Sequence, residues 1–217
     1  GPEALLATAE AYRTYVKVGL WSSTGPVAMA RAPVATARPR PGWAEQRPDD
    51  WWAALAGAVD EVRRSSPAAF AAVEVLGLTG ARQTIVTVDD GGRALGAALL
   101  WNDRRAGAEA DDLAGSSGGA DAIAERTGIP HHAGSVAAKI AWLERNDPER
   151  LEATRWLLAP RDLLVQRLTG EIATDPSMAS CTGLYDLDGN PVEALAGAAA
   201  TRLAPVVPST EVVGGTR

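Results

Sequence analysis

Thr14-Tyr15-Val16-Lys17-Val18-Gly19-Leu20-Trp21 alternates along its length and is rich in β-branched and aromatic side chains, the pattern of a strand. Ser22-Ser23-Thr24-Gly25-Pro26 turns the chain, and Val27 to Val34 reads as the returning strand of a hairpin. Thr36 to Gly42, with Pro39 and Pro41, reads as a surface loop. Pro48-Asp49-Asp50 opens a helix that runs to about Arg64, with Trp52, Leu55, Val59 and Val62 on one face. Val73 to Thr79 is a short apolar run expected as a buried strand. Thr84 to Val88 is another, and Asp89-Asp90-Gly91-Gly92 turns the chain into Ala94–Leu100. Helices are expected after Arg105, over Ala120–Thr127, over Gly134–Arg145, over Arg161–Leu168 with Gly170 as its left-handed stop, over Asp175–Ser180 and over Pro191–Ala200. Trp156–Leu158 is a short strand, and Pro205 to Arg217 reads as loop. Upstream of the hairpin, the alanine- and leucine-rich Ala4 to Ala11 reads as helix. Hairpins alternating with helices indicate an α/β domain, a mixed sheet flanked by helices.

The chain has 217 residues, 46% hydrophobic and 22% charged, with a formal net charge of −6. That length suits one large domain or two small ones. The negative balance argues against nucleic acid as the main partner, because phosphate binding needs a basic face. A single cysteine, Cys181, excludes a disulfide framework and a cysteine-based zinc site. No apolar run is long enough to span a bilayer and no signal-peptide pattern opens the chain, so no membrane partner and a cytoplasmic location are expected. Gly1-Pro2 has the form of a scar left by tag removal. Lys17 and Lys139 are the only lysines, and seven tryptophans accompany one phenylalanine. Trp43, Trp51 and Trp52 are expected to pack the first helix against the sheet and loop, Trp142 and Trp156 to lie in the core, and Cys181 to be a small buried residue.

No phosphate-binding glycine loop, dinucleotide fingerprint, G-x-S-x-G elbow or spaced histidine pair is present. His131-His132 are adjacent and follow a proline, so they read as a loop pair, and no metal site is expected. The informative positions lie at strand ends. Leu78-Thr79-Gly80-Ala81-Arg82-Gln83-Thr84 places an arginine and an amide where one strand stops and the next begins. Leu99-Leu100-Trp101-Asn102-Asp103-Arg104 puts an indole, an amide and a carboxylate after another apolar run. Fork donors, acceptors and one flat ring suit a polyhydroxylated ligand, which binds through vicinal hydroxyls and stacks its C–H face. A surface loop in which Asp103 pairs with a nearby arginine accounts for the same residues equally well. Asp175 is expected to cap a helix and Asp162 to begin one.

Several segments together resemble the N-terminal domain of the FGGY family of carbohydrate kinases, the group of xylulokinases, gluconokinases and glycerol kinases. They are Arg40-Pro41-Gly42-Trp43-Ala44-Glu45-Gln46 with Pro48-Asp49-Asp50-Trp51-Trp52; Leu99 to Arg105; Ala159-Pro160-Arg161-Asp162-Leu163-Leu164 through Leu168-Thr169-Gly170-Glu171; Thr174-Asp175-Pro176-Ser177 with Ala179-Ser180; and Pro205 to Ser209. They fall in family order from about residue 14 onward. The resemblance implies an actin-like, ribonuclease-H-like domain, paired in the family with a second, nucleotide-binding domain. It also implies transfer of the γ-phosphoryl of ATP, with Mg2+, to a sugar or polyol hydroxyl. By the same resemblance Arg82 and Gln83, with Trp101, Asn102 and Asp103, are substrate-side residues, and Thr14 and Lys17 are phosphate-side residues. Arg82 is closer to the glycerol-kinase-like version of the pair. Gly134 falls where polyol-type members carry tyrosine and xylulose-type members glycine, so the substrate stays open between pentulose-like and polyol-like. The implied partners are the small sugar, a C-terminal kinase domain or partner chain, and a second copy as a possible homodimer.

The sequence departs from the family at its start. The family's D-x-G-[TS] loop is replaced here: Glu10 stands for the aspartate, Tyr12 for the glycine and Arg13 for the hydroxyl residue. The family's proton-accepting carboxylate has no match in Glu211 to Arg217. Two readings follow. One is a sugar-binding domain that needs a second domain for catalysis, with residues 1–13 an atypical segment or tag remnant. The other is a non-catalytic member that binds a partner. On either, the chain by itself is expected not to phosphorylate a sugar.

Overall fold

The computed structural model describes residues 5–11 and 14–216. Strands β1 (Leu5–Ala11), β2 (Tyr15–Ser22) and β3 (Gly25–Pro33) open the chain, and a two-residue strand, β4 (Glu45–Gln46), precedes α1 (Pro48–Ser65) and α2 (Pro67–Ala71). β5 (Val73–Gly80), β6 (Val86–Val88) and β7 (Ala98–Leu99) follow, then α3 (Gly107–Ser116), α4 (Ala120–Thr127), α5 (Val136–Asn146) and α6 (Pro148–Ala153). The remainder is β8 (Trp156–Leu158), α7 (Pro160–Thr169), α8 (Pro176–Ser180), α9 (Glu193–Ala196) and a 3-10 turn over Gly197–Arg202.

The expected hairpin is β2–β3, paired antiparallel from Tyr15↔Pro33 to Ser22↔Gly25. The expected helix upstream of it is not formed: Leu5–Ala11 is a strand, and Ala4 lies outside the described residues. β1 pairs antiparallel with β2 and parallel with β5, giving a mixed sheet of order β3-β2-β1-β5 with β1 in the interior. Alanine's helix preference is worth only tenths of a kcal/mol per residue, and two ladders of backbone hydrogen bonds outweigh it. The small side chains then have a purpose. Ala7, Ala9 and Ala11 are buried on the face that carries Val16, Val18 and Leu20, where α1 and α7 close down on the sheet. Small residues let those helices sit near the backbone of a central strand.

β5 also differs from expectation. It is a strand, but an edge one, and Val75 is 57% exposed. Leu6, Met29 and Val75 lie exposed on the sheet, whose helix-covered side is the opposite one. On α1 the buried stripe is Trp51, Ala54, Leu55, Ala58 and Val62, whereas Trp52 is exposed. Asp49 and Asp50 sit in the first turn of α1 without capping it, and Asp49 pairs instead with Arg167 on α7 at 2.6 Å. Of the Ala94–Leu100 run only Ala98–Leu99 is strand, paired with β4. Gly170 ends α7 with φ 85°, and Asp175 caps α8 by accepting from the Met178 N–H at 2.9 Å. A second cluster of apolar residues joins α5, β8, α9 and the 3-10 turn through Ile140, Leu143, Leu157, Leu195 and Ala199. No helix of the described residues is long and apolar enough to cross a membrane.

Candidate functional site

β1 and β5 run parallel and finish side by side. Ala11 is opposite Gly80, and the Ala81 N–H donates to the Ala11 carbonyl at 2.8 Å. Thr14, immediately before β2, and the Arg82-Gln83 pair therefore lie at the same edge. In open α/β sheets that carboxyl edge is where ligands bind. Beyond Gly80 the chain bends sharply. Gln83 has φ 57°, the one non-glycine residue in the left-handed region among those described. Thr84 and Ile85 then run back along Leu99, with Ile85 and Leu99 exchanging backbone hydrogen bonds at 3.1 and 3.0 Å. The Thr84 hydroxyl accepts from the Trp101 N–H at 3.1 Å, which fixes the Trp101-Asn102 segment against the Arg82-Gln83 bend.

The third wall is the entry to α5. A side chain at Gly134 would put its Cβ 2.7 Å from the Trp101 carbonyl oxygen and 2.6 Å from Arg104 Nη1, so only glycine fits. Gly134 N–H and Arg104 Nη1 both donate to His132 Nδ1, at 2.9 and 2.8 Å. Burial, then the nearby charges of Arg104 and Lys139, hold the His132 pKa below its ordinary value. That agrees with a neutral ring whose Nδ1 accepts. His131 Nε2 contacts the Ala110 carbonyl at 3.0 Å, so the two histidines diverge as expected of a loop pair. Among the described residues no group of three acidic, histidine or cysteine side chains is placed to hold a metal ion.

The expected substrate-side residues differ in what they offer. Arg82 is exposed, and its guanidinium reaches Cys181 Sγ at 3.3 Å. Cys181 itself is only half-buried. Trp101 and Asn102 are half-buried, and Asn102 Oδ1 is buried with no hydrogen-bond partner. Asp103 is wholly buried. One carboxylate oxygen accepts from the Ala44 N–H at 2.6 Å and Arg105 Nη2 at 2.8 Å, the other from Arg105 N at 3.0 Å and Nε at 2.9 Å. Arg105 also binds Glu45 at 2.6 Å and lies 3.6 Å from the Trp43 ring and 4.9 Å from that of Trp142. Trp43 thus packs over this buried arginine and edge-on to Trp142. Asp103 does pair with an arginine, in the interior instead of a surface loop.

On the phosphate side, Thr14 is exposed and Lys17 half-exposed. Lys17 Nζ lies 2.7 Å from Glu10 Oε2, the two facing each other across the β1–β2 ladder, and the hydrogen bond the lysine donates to Glu10 raises its pKa. Tyr12 and Arg13, the family departures, lie outside the described residues.

The profile of the N-terminal domain of the FGGY family of carbohydrate kinases matches residues 13–217. The chain belongs to this family. A xylulose kinase of Streptomyces rubiginosus is 40% identical over 141 residues, 65% of this chain and 28% of that protein. A glycerol kinase of Thermococcus kodakarensis is 33% identical over 153 residues, 69% of this chain and 30% of that one. Among solved structures, a xyloylose kinase from Brucella ovis superposes with a TM-score of 0.91 at 30% identity, over 98% of this chain and 45% of that chain. The fold is therefore the actin-like, ribonuclease-H-like one of FGGY sugar kinases, and the chain corresponds to their N-terminal domain. It spans less than half the length of these relatives.

Lys139, one of only two lysines, carries no expectation from sequence beyond the Gly134–Arg145 helix, yet in the fold it is fully buried and donates to the Gln83 carbonyl at 2.7 Å and the Gly134 carbonyl at 2.8 Å. A lysine amid alanine and isoleucine on an otherwise apolar helix face was the available signal.

Proposed function

We propose that this FGGY domain is the sugar-side lobe of an ATP-dependent carbohydrate kinase whose substrate is a ketopentose of the xylulose type. The carrying observation is that the Thr14–Lys17 segment and the Arg82-Gln83 bend emerge at the carboxyl ends of two adjacent parallel strands. Phosphoryl transfer asks mainly for alignment of a phosphate with a hydroxyl, and that edge can present both. In this reading the exposed Arg82 fork takes vicinal hydroxyls. Gln83 and the unpaired Asn102 Oδ1 supply further polar contacts, and Trp101 offers a ring to the sugar's C–H face. We assign Asp103 to the scaffold, since both its oxygens are engaged.

Gly134 favours the ketopentose over a polyol, because a tyrosine there would run into the Trp101 carbonyl. Lys17 and Thr14 fit a phosphate oxygen, as a cation and a hydroxyl. The described residues form no cage of three ligands for a magnesium ion; Mg2+ brought with ATP would supply charge neutralisation at the phosphates. The nucleotide lobe and the proton-accepting carboxylate are assigned, by resemblance, to the part of the relatives beyond the matched region.

The Glu10–Lys17 ion pair supports a second reading, a non-catalytic member, because it occupies the cation a phosphate would use. Thermal melting separates the two. A ligand that binds the native state raises the melting temperature by mass action. D-xylulose at millimolar concentration is expected to raise it, with glycerol weaker. Mg-ATP alone raising it too counts against the non-catalytic reading, and no shift with any sugar counts against the kinase reading.

A further inference from the structure

Lys139 enters from the first turn of α5, five residues after Gly134, and points back toward the helix start, as helical side chains do. Its ammonium has two hydrogen-bonding partners, the carbonyl oxygens of Gln83 and Gly134, at 2.7 and 2.8 Å. Those carbonyls belong to two separate walls of the site, the strand-end bend and the entry to α5. Two further features make the bonds consequential. Gln83 holds a left-handed backbone conformation (φ 57°), which is strained for a non-glycine residue and persists only where its surroundings enforce it. And a Cβ at Gly134 would lie only 2.7 Å from the Trp101 carbonyl oxygen, so the entry to α5 sits close against the Trp101 segment. A buried amine is itself expensive, so a site that retains one uses it.

We propose that Lys139 is the positioning residue of this site: by bridging the Gln83 and Gly134 carbonyls it holds Gln83 in the left-handed bend and so aims the Arg82-Gln83 pair. It touches no substrate. The consequence for sugar affinity rests on the kinase reading above; the backbone clamp does not.

Three measurements on the purified chain test it. Amide hydrogen exchange of Lys139→Met should be at least about tenfold faster at residues 82–85 and 134–136 while β1–β3 is unchanged, as expected when two buried hydrogen bonds are lost. Ile140→Val, a buried neighbour on α5 without polar contacts, should leave that pattern alone. In a Gln83→Gly background, where the left-handed bend needs no enforcement, the loss of melting temperature caused by Lys139→Met should shrink. Should Lys139→Met not fold alone, its folding with Gln83→Gly supports the clamp. Unchanged exchange at 82–85, equal losses in both backgrounds, or failure of both variants to fold overturns it. D-xylulose affinity, read by tryptophan fluorescence, should fall at least about tenfold in Lys139→Met and be retained in Ile140→Val. Faster exchange together with no xylulose binding by the wild type supports the clamp and overturns the sugar reading instead. Xylulose affinity equal in wild type and Lys139→Met overturns the proposed consequence for the sugar.

Discussion

Lys139 is the residue at which burial and chemistry conflict most openly. Burial lowers its pKa from 10.5 to about 7, with Asp103 opposing the fall and Arg104 and Arg105 adding to it. The unfolded chain therefore holds more protons than the folded one between those values, so stability rises with pH across that window. His132, the other titrating group that senses Lys139, is held below its usual pKa and stays neutral there. Wild type should gain on Lys139→Met in chemical-denaturation stability from pH 7 to 10, with a flat difference below pH 7. A difference that is constant from pH 6 to 10 would show that the amine is not buried in this way. Gly134 makes a second residue-scale case. Gly134→Ala should lose about 1–3 kcal/mol, read from the denaturant midpoint, because its Cβ would meet a backbone oxygen that cannot swing aside. The place of Arg82, Gln83, Trp101 and Asn102 just beyond strand ends was legible from sequence, because strand ends leave local signatures. The burial of Asp103 was not, since it depends on Ala44, Glu45 and Arg105 meeting across the fold.

Among the elements, β1 is where local preference and tertiary context part. Its alanines suit a helix, but its alternation of buried and exposed positions between β2 and β5 is that of a strand. The alternation gives a direct test. Ala9→Leu, on the helix-covered face, should cost about 1–3 kcal/mol by overpacking. Leu6→Thr, on the exposed face, should stay within about 0.5 kcal/mol. Equal costs at both positions would contradict the strand. Elements with strong boundary chemistry were readable in advance: α4 between Gly119 and Gly128, α7 ending at Gly170, and α8 behind its Asp175 cap. Asp175→Ala should lose about 1 kcal/mol for the cap, with a further share from its 3.0 Å ion pair with Arg161. Burial pushes the Asp175 pKa up, but hydrogen bonds from Ser209 and Met178 and the Arg161 charge outweigh it and hold the carboxyl below its usual range. That contribution is present at neutral pH and is lost as acid protonates the group, so the Asp175→Ala penalty should fade only below the usual carboxylate range in acid titrations of stability.

At the scale of the whole molecule, the mixed sheet divides labour between its two faces and its one edge. The face under α1 and α7 supplies the core. The other leaves Leu6, Met29 and Val75 exposed. The carboxyl edge gathers the strand ends, the α5 entry and the Lys139 clamp. Family membership was legible because several short motifs fall in order along the chain. The long-range contacts that turn them into one site, such as Lys139 to Gln83, carry no sequence signature of their own. The central claim, that this edge binds a sugar through Arg82, is tested most directly by isothermal titration of D-xylulose into the purified chain and into Arg82→Ala. Saturable binding by the wild type, weakened at least about tenfold in Arg82→Ala with an unchanged melting temperature, is the result expected from loss of a charged hydrogen-bonding fork. Equal affinity in the two proteins, or no binding by either, would contradict it.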